Sequence, residues 1–259
     1  MPVYHKFVHK YFGSGFETND AILDTTPGYK PEIIFIGTFN PETGDQADFF
    51  YGRNFFWTAF KNLFINNRVL LEGRRMPQRG APPLIKNPSL EEILKICVSL
   101  KLTFADLIKA VLHNQNPTYQ VFPDNQVIYR GEQYNLIQDD KTSKKDVKLL
   151  GLRQLEQHRQ IDWNTQNIIN YLVKNPQIKT IYFTRKPDNI WEQEWSKLKS
   201  NPHLAGRKFA NIYTPSGRRL PTPVMNNLLH RWVYNDNIDF GHLENNWLIA
   251  SGVTLANFL

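Results

Sequence analysis

The sequence has a single cysteine, Cys97, among its 259 residues. One thiol cannot form an internal disulfide, and it cannot supply the four thiolates of an iron–sulfur cluster or of a four-cysteine zinc site. Cys97 occupies an apolar position of the segment EEILKICVSL, so we expect a small buried hydrophobic side chain rather than a nucleophile. His5, His9, His113 and His230 form no metal-ligand set, and we expect neither a metal nor a cofactor.

Long apolar runs and glycine-rich phosphate loops are also absent. No stretch approaches the roughly 20 apolar residues of a membrane span, and the opening residues MPVYHKFVHKYF lack the apolar core of a signal peptide. We therefore expect a cytoplasmic protein with no membrane partner. Neither G-x-G-x-x-G nor a Walker A lysine motif occurs, so no nucleotide-phosphate loop is predicted.

Acidic residues are fewer than basic ones: Asp and Glu total 24 against 31 Lys and Arg, a formal net charge of +7. This balance indicates a polyanionic partner such as nucleic acid. The content of 41% hydrophobic and 13% aromatic residues is typical of a globular chain. Because no shift in composition marks a boundary, we predict one domain over residues 1–259.

Strand and helix patterns alternate along the chain. Strands are predicted at 32–37, 180–184 and 208–213, and helices at 54–64, 162–173, 188–198 and 223–234. Ser89 and Glu92 form a capping-box pattern before a further helix. The alternation predicts an α/β fold, a three-layer α/β/α sandwich around a mostly parallel sheet of about four strands.

Two segments are predicted as surface insertions in this fold. Residues 66–88 are rich in Pro, Gly and Arg, and form either a basic flap near a polyanion or a plain surface loop. Residues 121–160 are irregular and most polar at 139–148, where a solvated loop is expected.

The segment IIFIGTFNPETGDQADFFYGRNFFW, at 33–57, carries the first functional signal. Gly37 ends the strand and permits close backbone approach, while Pro41 biases Asn40 to an extended conformation that can aim its amide into a cleft. Asn-Pro is also a common turn dipeptide. Asn54 can cap the helix that follows or point into the same cleft.

Aromatic residues dominate the rest of this segment. Phe49, Phe50 and Tyr51 lie in a loop beside the strand end, where they either pack against the protein or stack on a ligand. Phe56 and Trp57 instead match the buried face of the following helix.

The pattern IIFIGTFNP…FFYGRNFFW resembles the first motif region of the uracil-DNA glycosylase superfamily, nearest its mismatch-specific (thymine/uracil) and hypoxanthine-DNA glycosylase branches. The strand KFANIY running into TPSGRR, at 214–219, resembles the superfamily's second motif, a Pro-Ser loop that enters the duplex minor groove. LTFADLIKAVL at 102–112 and VYHKFVHKYF at 3–12 are similar to other segments of the superfamily. The likeness extends from about residue 4 to 232.

The resemblance implies a monofunctional, monomeric DNA glycosylase that acts on double-stranded DNA containing a deaminated or damaged base. Such an enzyme flips the nucleotide out of the stack and hydrolyses its N-glycosidic bond, with an asparagine orienting the water. Asn40 matches the asparagine that precedes proline, and Asn54 matches the functional asparagine of Asn-x-Phe-Trp in the hypoxanthine branch. Both remain catalytic candidates, and the base itself is not identified.

The resemblance also assigns the residues that contact DNA. Base binding falls to Gly37, Thr38, Phe39, Phe49, Phe50 and Tyr51. Minor-groove contact falls to Thr214, Pro215, Ser216, Gly217, Arg218 and Arg219, although TPSGRR without the first motif would indicate an exposed turn with solvated charges.

The sequence departs from the superfamily in two places. The turn has one more residue between Gly37 and Asn40 than the mismatch-specific pattern, and Thr214 stands where the uracil-specific branch has a histidine. Two alternatives therefore remain open. The chain could be a DNA-binding protein on the same scaffold without catalysis, or a hydrolase of small nucleosides.

Overall fold

The computed structural model describes residues 3–42, 48–52, 55–67, 88–111, 152–157, 159–217, 220–221, 224–235 and 237–258. The strands are β1 Val3–Tyr4, β2 Tyr11–Gly13, β3 Phe16–Asn19, β4 Ile22–Thr25, β5 Ile33–Gly37, β6 Leu102–Asp106, β7 Ile108–Val111, β8 Ile161–Trp163, β9 Thr180–Phe183 and β10 Lys208–Asn211. They form a seven-stranded sheet of order β10-β9-β5-β6-β4-β3-β2 and a three-stranded sheet of order β1-β7-β8.

The larger sheet is parallel on one side and antiparallel on the other. β10, β9, β5 and β6 pair in parallel, whereas β4, β3 and β2 continue the sheet by antiparallel pairing. The predicted α/β class with a parallel-containing central sheet is confirmed, but the prediction of about four strands is wrong. Residues 11–25 add three strands of three or four residues each, too short for a clear period-2 signal.

The helices are α1 Phe56–Phe60, continued by a π-helix over Lys61–Asn66, then α2 Leu90–Leu100, α3 Leu152–Gln157, α4 Thr165–Lys174, α5 Ile190–Lys199, α6 Val224–Val233 and α7 Asn245–Ala250, with 3-10 turns at Pro202–Leu204 and Leu255–Phe258. The helices predicted at 54–64, 188–198 and 223–234 correspond to α1 with its π-helical extension, α5 and α6. The helix predicted from residue 162 begins only at Thr165, because Ile161–Trp163 pairs with β7 as strand β8.

The capping box before α2 is confirmed. The Ser89 hydroxyl accepts the Glu92 N–H at 3.2 Å, and the Glu92 carboxylate accepts the Ser89 N–H at 2.8 Å. Of the two predicted insertions, most of 66–88 lies outside the described residues, and the described end of 121–160 contains α3.

Apolar side chains cover both faces of β5, whose five residues are all buried. Phe35 packs in an aromatic cluster with side chains of α1, α2 and α6, including Phe56 and Cys97. Ile34 and Ile36 pack in a second cluster with α4 and α5. A strand covered on both faces reads as a continuous apolar run, which is why IIFI is recognisable in the sequence. The prediction that Cys97 is a buried hydrophobic side chain is confirmed.

Among the residues described, no helix is long and apolar enough to cross a membrane.

Candidate functional site

The candidate site lies where the parallel strands end. Along the chain the parallel strands follow in the order β5, β6, β9 and β10, yet β6 and β9 flank β5 on opposite sides. The chain thus changes direction across the sheet between β5 and β9, and ligands of open α/β sheets bind in the crevice at such a switch point. Gly37 ends β5 there, and Thr184 directly follows β9.

Backbone hydrogen bonds fix the turn that follows β5. The Lys6 N–H donates to the Asn40 carbonyl at 2.7 Å, and the Ile108 N–H donates to the Thr38 carbonyl at 3.0 Å. Residues 38–41 are therefore held between the segment that follows β1 and the start of β7. The backbone position from which the half-buried Asn40 side chain extends is therefore fixed.

Asp106, the last residue of β6, joins the turn to the sheet. The Asn40 amide nitrogen donates to Asp106 Oδ2 at 2.6 Å, and His5 Nε2 lies 2.7 Å from the same oxygen. Both side chains of the His5–Asp106 pair are buried, 0% and 2% exposed. A buried acid is tolerated when it accepts hydrogen bonds, and here Oδ2 accepts two.

The hydrogen bonds of His5 define its tautomer. The Phe7 backbone N–H donates to His5 Nδ1 at 3.0 Å, so Nδ1 acts as an acceptor and carries no proton. The proton of the neutral ring lies on Nε2, which donates to Asp106. His5 is therefore arranged to hold the Asp106 side chain in place.

Gly37 makes room for this arrangement. A Cβ at position 37 would overlap Asp106 Oδ1 and would lie 2.9 Å from the Tyr51 hydroxyl oxygen. Any side chain here would displace one of these two groups, so the predicted close backbone approach at Gly37 is an approach to Asp106 and Tyr51.

Tyr51 connects the aromatic loop to β9. Its hydroxyl lies 3.0 Å from Thr184 Oγ1, and Thr184 Oγ1 in turn donates to the Ile36 carbonyl at 3.2 Å. Because the Thr184 hydroxyl proton is already donated to the Ile36 carbonyl, the Tyr51 hydroxyl is the donor in its bond to Thr184. The Tyr51 ring stacks on Phe56 with centroids 4.4 Å apart.

Two further properties distinguish Tyr51. Its φ of 58° lies in the left-handed region, which is a genuine outlier for a bulky residue and occurs disproportionately at functional sites. Burial raises its pKa well above the ordinary value, and the nearby Asp106 raises the pKa further. Tyr51 therefore remains a neutral phenol that can donate a hydrogen bond.

The other two aromatic candidates are part of the core. Phe49 and Phe50 are 1% and 0% exposed. Phe49 packs edge-on against Phe12 at 4.7 Å between centroids, and Phe50 stacks on Phe104 at 5.8 Å. In this structure their rings contact other aromatic side chains. The aromatic ring of the turn itself is that of Phe39, which is half-buried and 5.8 Å from the His5 ring.

The second motif lies against the helix of the first. The Phe55 N–H donates to the Pro215 carbonyl at 3.1 Å, and the Gly217 N–H closes a turn onto the Thr214 carbonyl at 3.0 Å. Ser216 is exposed at this turn, while Pro215 and Gly217 are buried. Asn54, Arg218 and Arg219 lie outside the described residues.

The structure thus brings together Gly37, Asn40 and Tyr51 among the predicted residues, around an acid that the sequence did not single out. The sequence does contain an indication of Asp106, which is the only charged residue within the apolar run LTFADLI. An acid in such a run is expected to be buried, and buried acids are almost always paired. His5 is one of the four histidines that form no metal-ligand set, and its sequence position gives no indication of this role. Thr184 carries no comparable signal.

The site offers an oriented amide, a hydrogen-bonded carboxylate and a phenol hydroxyl. Within the described ranges, no group of three or more His, Cys, Asp and Glu side chains could hold a metal ion. No protein-family model, curated protein or solved structure matches the chain.

Proposed function

We propose that the protein is a monofunctional DNA glycosylase of the uracil-DNA glycosylase type, which hydrolyses the N-glycosidic bond of a flipped, deaminated or damaged base. The observation that carries the proposal is the Asn40 amide at the β5/β9 switch point, with its nitrogen bonded to Asp106. Because a carboxylate only accepts, the amide nitrogen faces Asp106 and the amide oxygen faces away from it. That oxygen can accept a hydrogen bond from water.

The reaction does not require the Asn40 amide to act as a base. As the bond between C1′ and the base nitrogen breaks, the base leaves with the electron pair and the sugar gains oxocarbenium character, so a well-placed water suffices as the nucleophile. Water oxygen bonds to C1′, and the proton that the water loses passes through solvent to the departing base, which leaves a free base and an abasic sugar. An amide cannot take up that proton at neutral pH, and Asn40 therefore contributes position rather than basicity.

Other features support a nucleic-acid substrate. The turn at 214–217 exposes Ser216 beside helix α1, which lies at the end of the first motif, as a minor-groove loop requires. The net charge of +7 favours association with duplex DNA. We further propose that Thr38 and Phe39 border the flipped base, that the helices form outer layers on both faces of the sheet, and that one copy acts alone.

The test is base release from defined duplexes. Duplexes containing uracil, hypoxanthine or mismatched thymine are incubated with the protein, and abasic sites are then cleaved with alkali and resolved by electrophoresis. We expect cleavage of at least one duplex by the wild type and a rate about a hundredfold lower for Asn40→Ala, as for misplaced reactants. Asn246→Ala, an exposed asparagine on α7, is the matched control and should leave the rate unchanged.

Three outcomes would contradict the proposal. Absence of cleavage on every duplex with protein in excess would exclude the glycosylase. Salt-dependent DNA binding without base release, unaffected by Asn40→Ala, would identify a non-catalytic DNA-binding protein. Base release from free nucleosides but not from duplexes would identify a small-nucleoside hydrolase.

A further inference from the structure

We propose that Asp106 is a positioning residue for this reaction: together with His5 it holds the Asn40 amide in the orientation that presents oxygen, rather than nitrogen, to the attacking water. The inference rests on the proposed function, since it names what makes Asn40 competent. Its geometry can nevertheless be tested without any activity.

An asparagine side chain has two nearly isosteric orientations that exchange its oxygen and nitrogen. Only one of them gives a hydrogen-bond acceptor toward water on the side away from β6. In solution the two orientations interconvert freely, so a site that depends on the amide oxygen needs a group that selects between them.

Asp106 is such a group because it distinguishes the two orientations electrostatically. In the observed orientation the amide nitrogen donates to Oδ2 at 2.6 Å. In the flipped orientation the amide oxygen would face the carboxylate at that distance inside a buried site, where unpaired and repelling polar atoms are costly. The observed orientation is therefore strongly preferred.

His5 keeps Asp106 from rotating away. It donates to the same Oδ2, and its own tautomer is set by the Phe7 backbone N–H. On the other side, Asp106 Oδ1 lies against Gly37, where there is no side chain to push it aside. Within the described part of the chain, the titratable groups facing the Asn40–Asp106 pair are His5, from the segment after β1, and Tyr51, from the aromatic loop that precedes α1.

The positioning role is tested by two replacements of Asp106. Asp106→Asn keeps an oxygen that can accept from both His5 and Asn40, whereas Asp106→Leu keeps the approximate shape and removes the acceptor. We expect kcat for base release to fall about a hundredfold in Asp106→Leu with little change in KM, as for a misplaced reacting group. Asp106→Asn should retain most of the wild-type kcat.

Asp106→Leu leaves the buried His5 N–H without a partner and can unfold the protein. The double variant His5→Phe with Asp106→Leu removes the unpaired His5 N–H, at the cost of the Phe7 N–H that His5 Nδ1 accepts. Urea unfolding establishes that each variant is folded before kcat is compared. A folded double variant with wild-type kcat would overturn the positioning role, while the glycosylase itself would stand.

The contact itself is tested through Asn40→Asp, which needs no substrate. Two carboxyl groups at this distance share one proton, so the folded pair holds a proton more tightly than the unfolded chain does. A folded-state pKa raised above its unfolded value of about 4 stabilises the protein at low pH, and that stability is lost as pH rises. Asn40→Asp should therefore be more destabilised at pH 8 than at pH 5.

The readout is the urea midpoint at both pH values, relative to wild type and to Asn246→Asp on the exposed side of α7. Each unit by which the folded pKa exceeds about 5 lowers the folding equilibrium constant about tenfold between pH 5 and pH 8. Equal pH dependence in Asn40→Asp and Asn246→Asp would refute the Asn40–Asp106 contact. If the wild type releases no base while this pH dependence is present, the proposed function fails and the contact survives.

Discussion

At the scale of single residues, the orientation of Asn40 is set by restrictions on its three neighbours. Asp106 can only accept, His5 has one nitrogen occupied by a backbone donor, and Gly37 has no side chain at all. Each restriction removes an alternative arrangement of Asn40. A half-buried amide that would otherwise be mobile is thereby given a single orientation.

Gly37 provides the most direct test at this scale. Gly37→Ala would place a Cβ onto Asp106 Oδ1, so the carboxylate must move and its bonds to Asn40 and His5 must lengthen. We expect a loss of about 1–3 kcal/mol in the free energy of unfolding, typical of overpacking, together with loss of base release. Urea unfolding and the duplex assay measure the two effects.

The control is Gly206→Ala, since a Cβ at that position meets nothing within 4 Å although its φ of +81° disfavours a side chain. It should cost about 1 kcal/mol through the backbone alone and leave base release unchanged. Gly37→Ala with wild-type stability would show that Asp106 is not held against Gly37.

At the scale of elements, the sequence predicts strands where polar residues bound them. β5, β9 and β10 are predicted within two residues of their ends because Pro, Gly or Lys flank each apolar run. The run LTFADLIKAV contains no such boundary, yet it divides at Leu107 into β6 and β7, which belong to different sheets. Period and propensity cannot locate that division, because it is made by pairing with distant strands.

The same limit explains which parts of the site the sequence predicts. Gly37 and Asn40 follow the end of a recognisable strand, so the turn is visible in the sequence. The end of β6 is not recognisable, and Asp106 is missed with it. For Phe49 and Phe50 the sequence leaves open whether they pack against the protein or stack on a ligand, because a loop position cannot be distinguished from a core position by sequence alone; both are buried.

Helix α2 gives a prediction at the element scale. Ser89→Ala removes the hydroxyl that accepts the Glu92 N–H, and it should lower the free energy of unfolding by about 1 kcal/mol. The matched control is Ser196→Ala, an exposed position within α5, where alanine's higher helix propensity should make the change neutral or slightly stabilising. Equal urea midpoints for the two variants would exclude a stabilising cap.

At the scale of the whole molecule, two apolar clusters pack against opposite faces of β5. One of them contains Cys97 at 0% exposure, and burial raises the pKa of its thiol. Because the chain has one cysteine, the reactivity of that thiol reports on the opening of this cluster alone.

We expect a thiol reagent at pH 8 to leave Cys97 unmodified in the native protein and to label it at the rate of global unfolding. Val98→Cys adds a thiol at an adjacent position on α2 that is 42% exposed, and this second thiol should react without unfolding. Mass spectrometry of labelled protein across a urea series measures both. Fast labelling of Cys97 in the absence of urea would contradict a closed core.

The hydrogen bonds that fix Asn40 join parts of the chain that are synthesised far apart. Asn40 and Asp106 are separated by 66 positions, and His5 and Asp106 by 101. Contacts of such sequence separation form slowly, after local structure, because a long loop must close first. A nascent chain can therefore form the Asn-Pro turn early, but the amide becomes oriented only when β6 docks beside β5. The proposed base-release activity would therefore arise only with that late docking step.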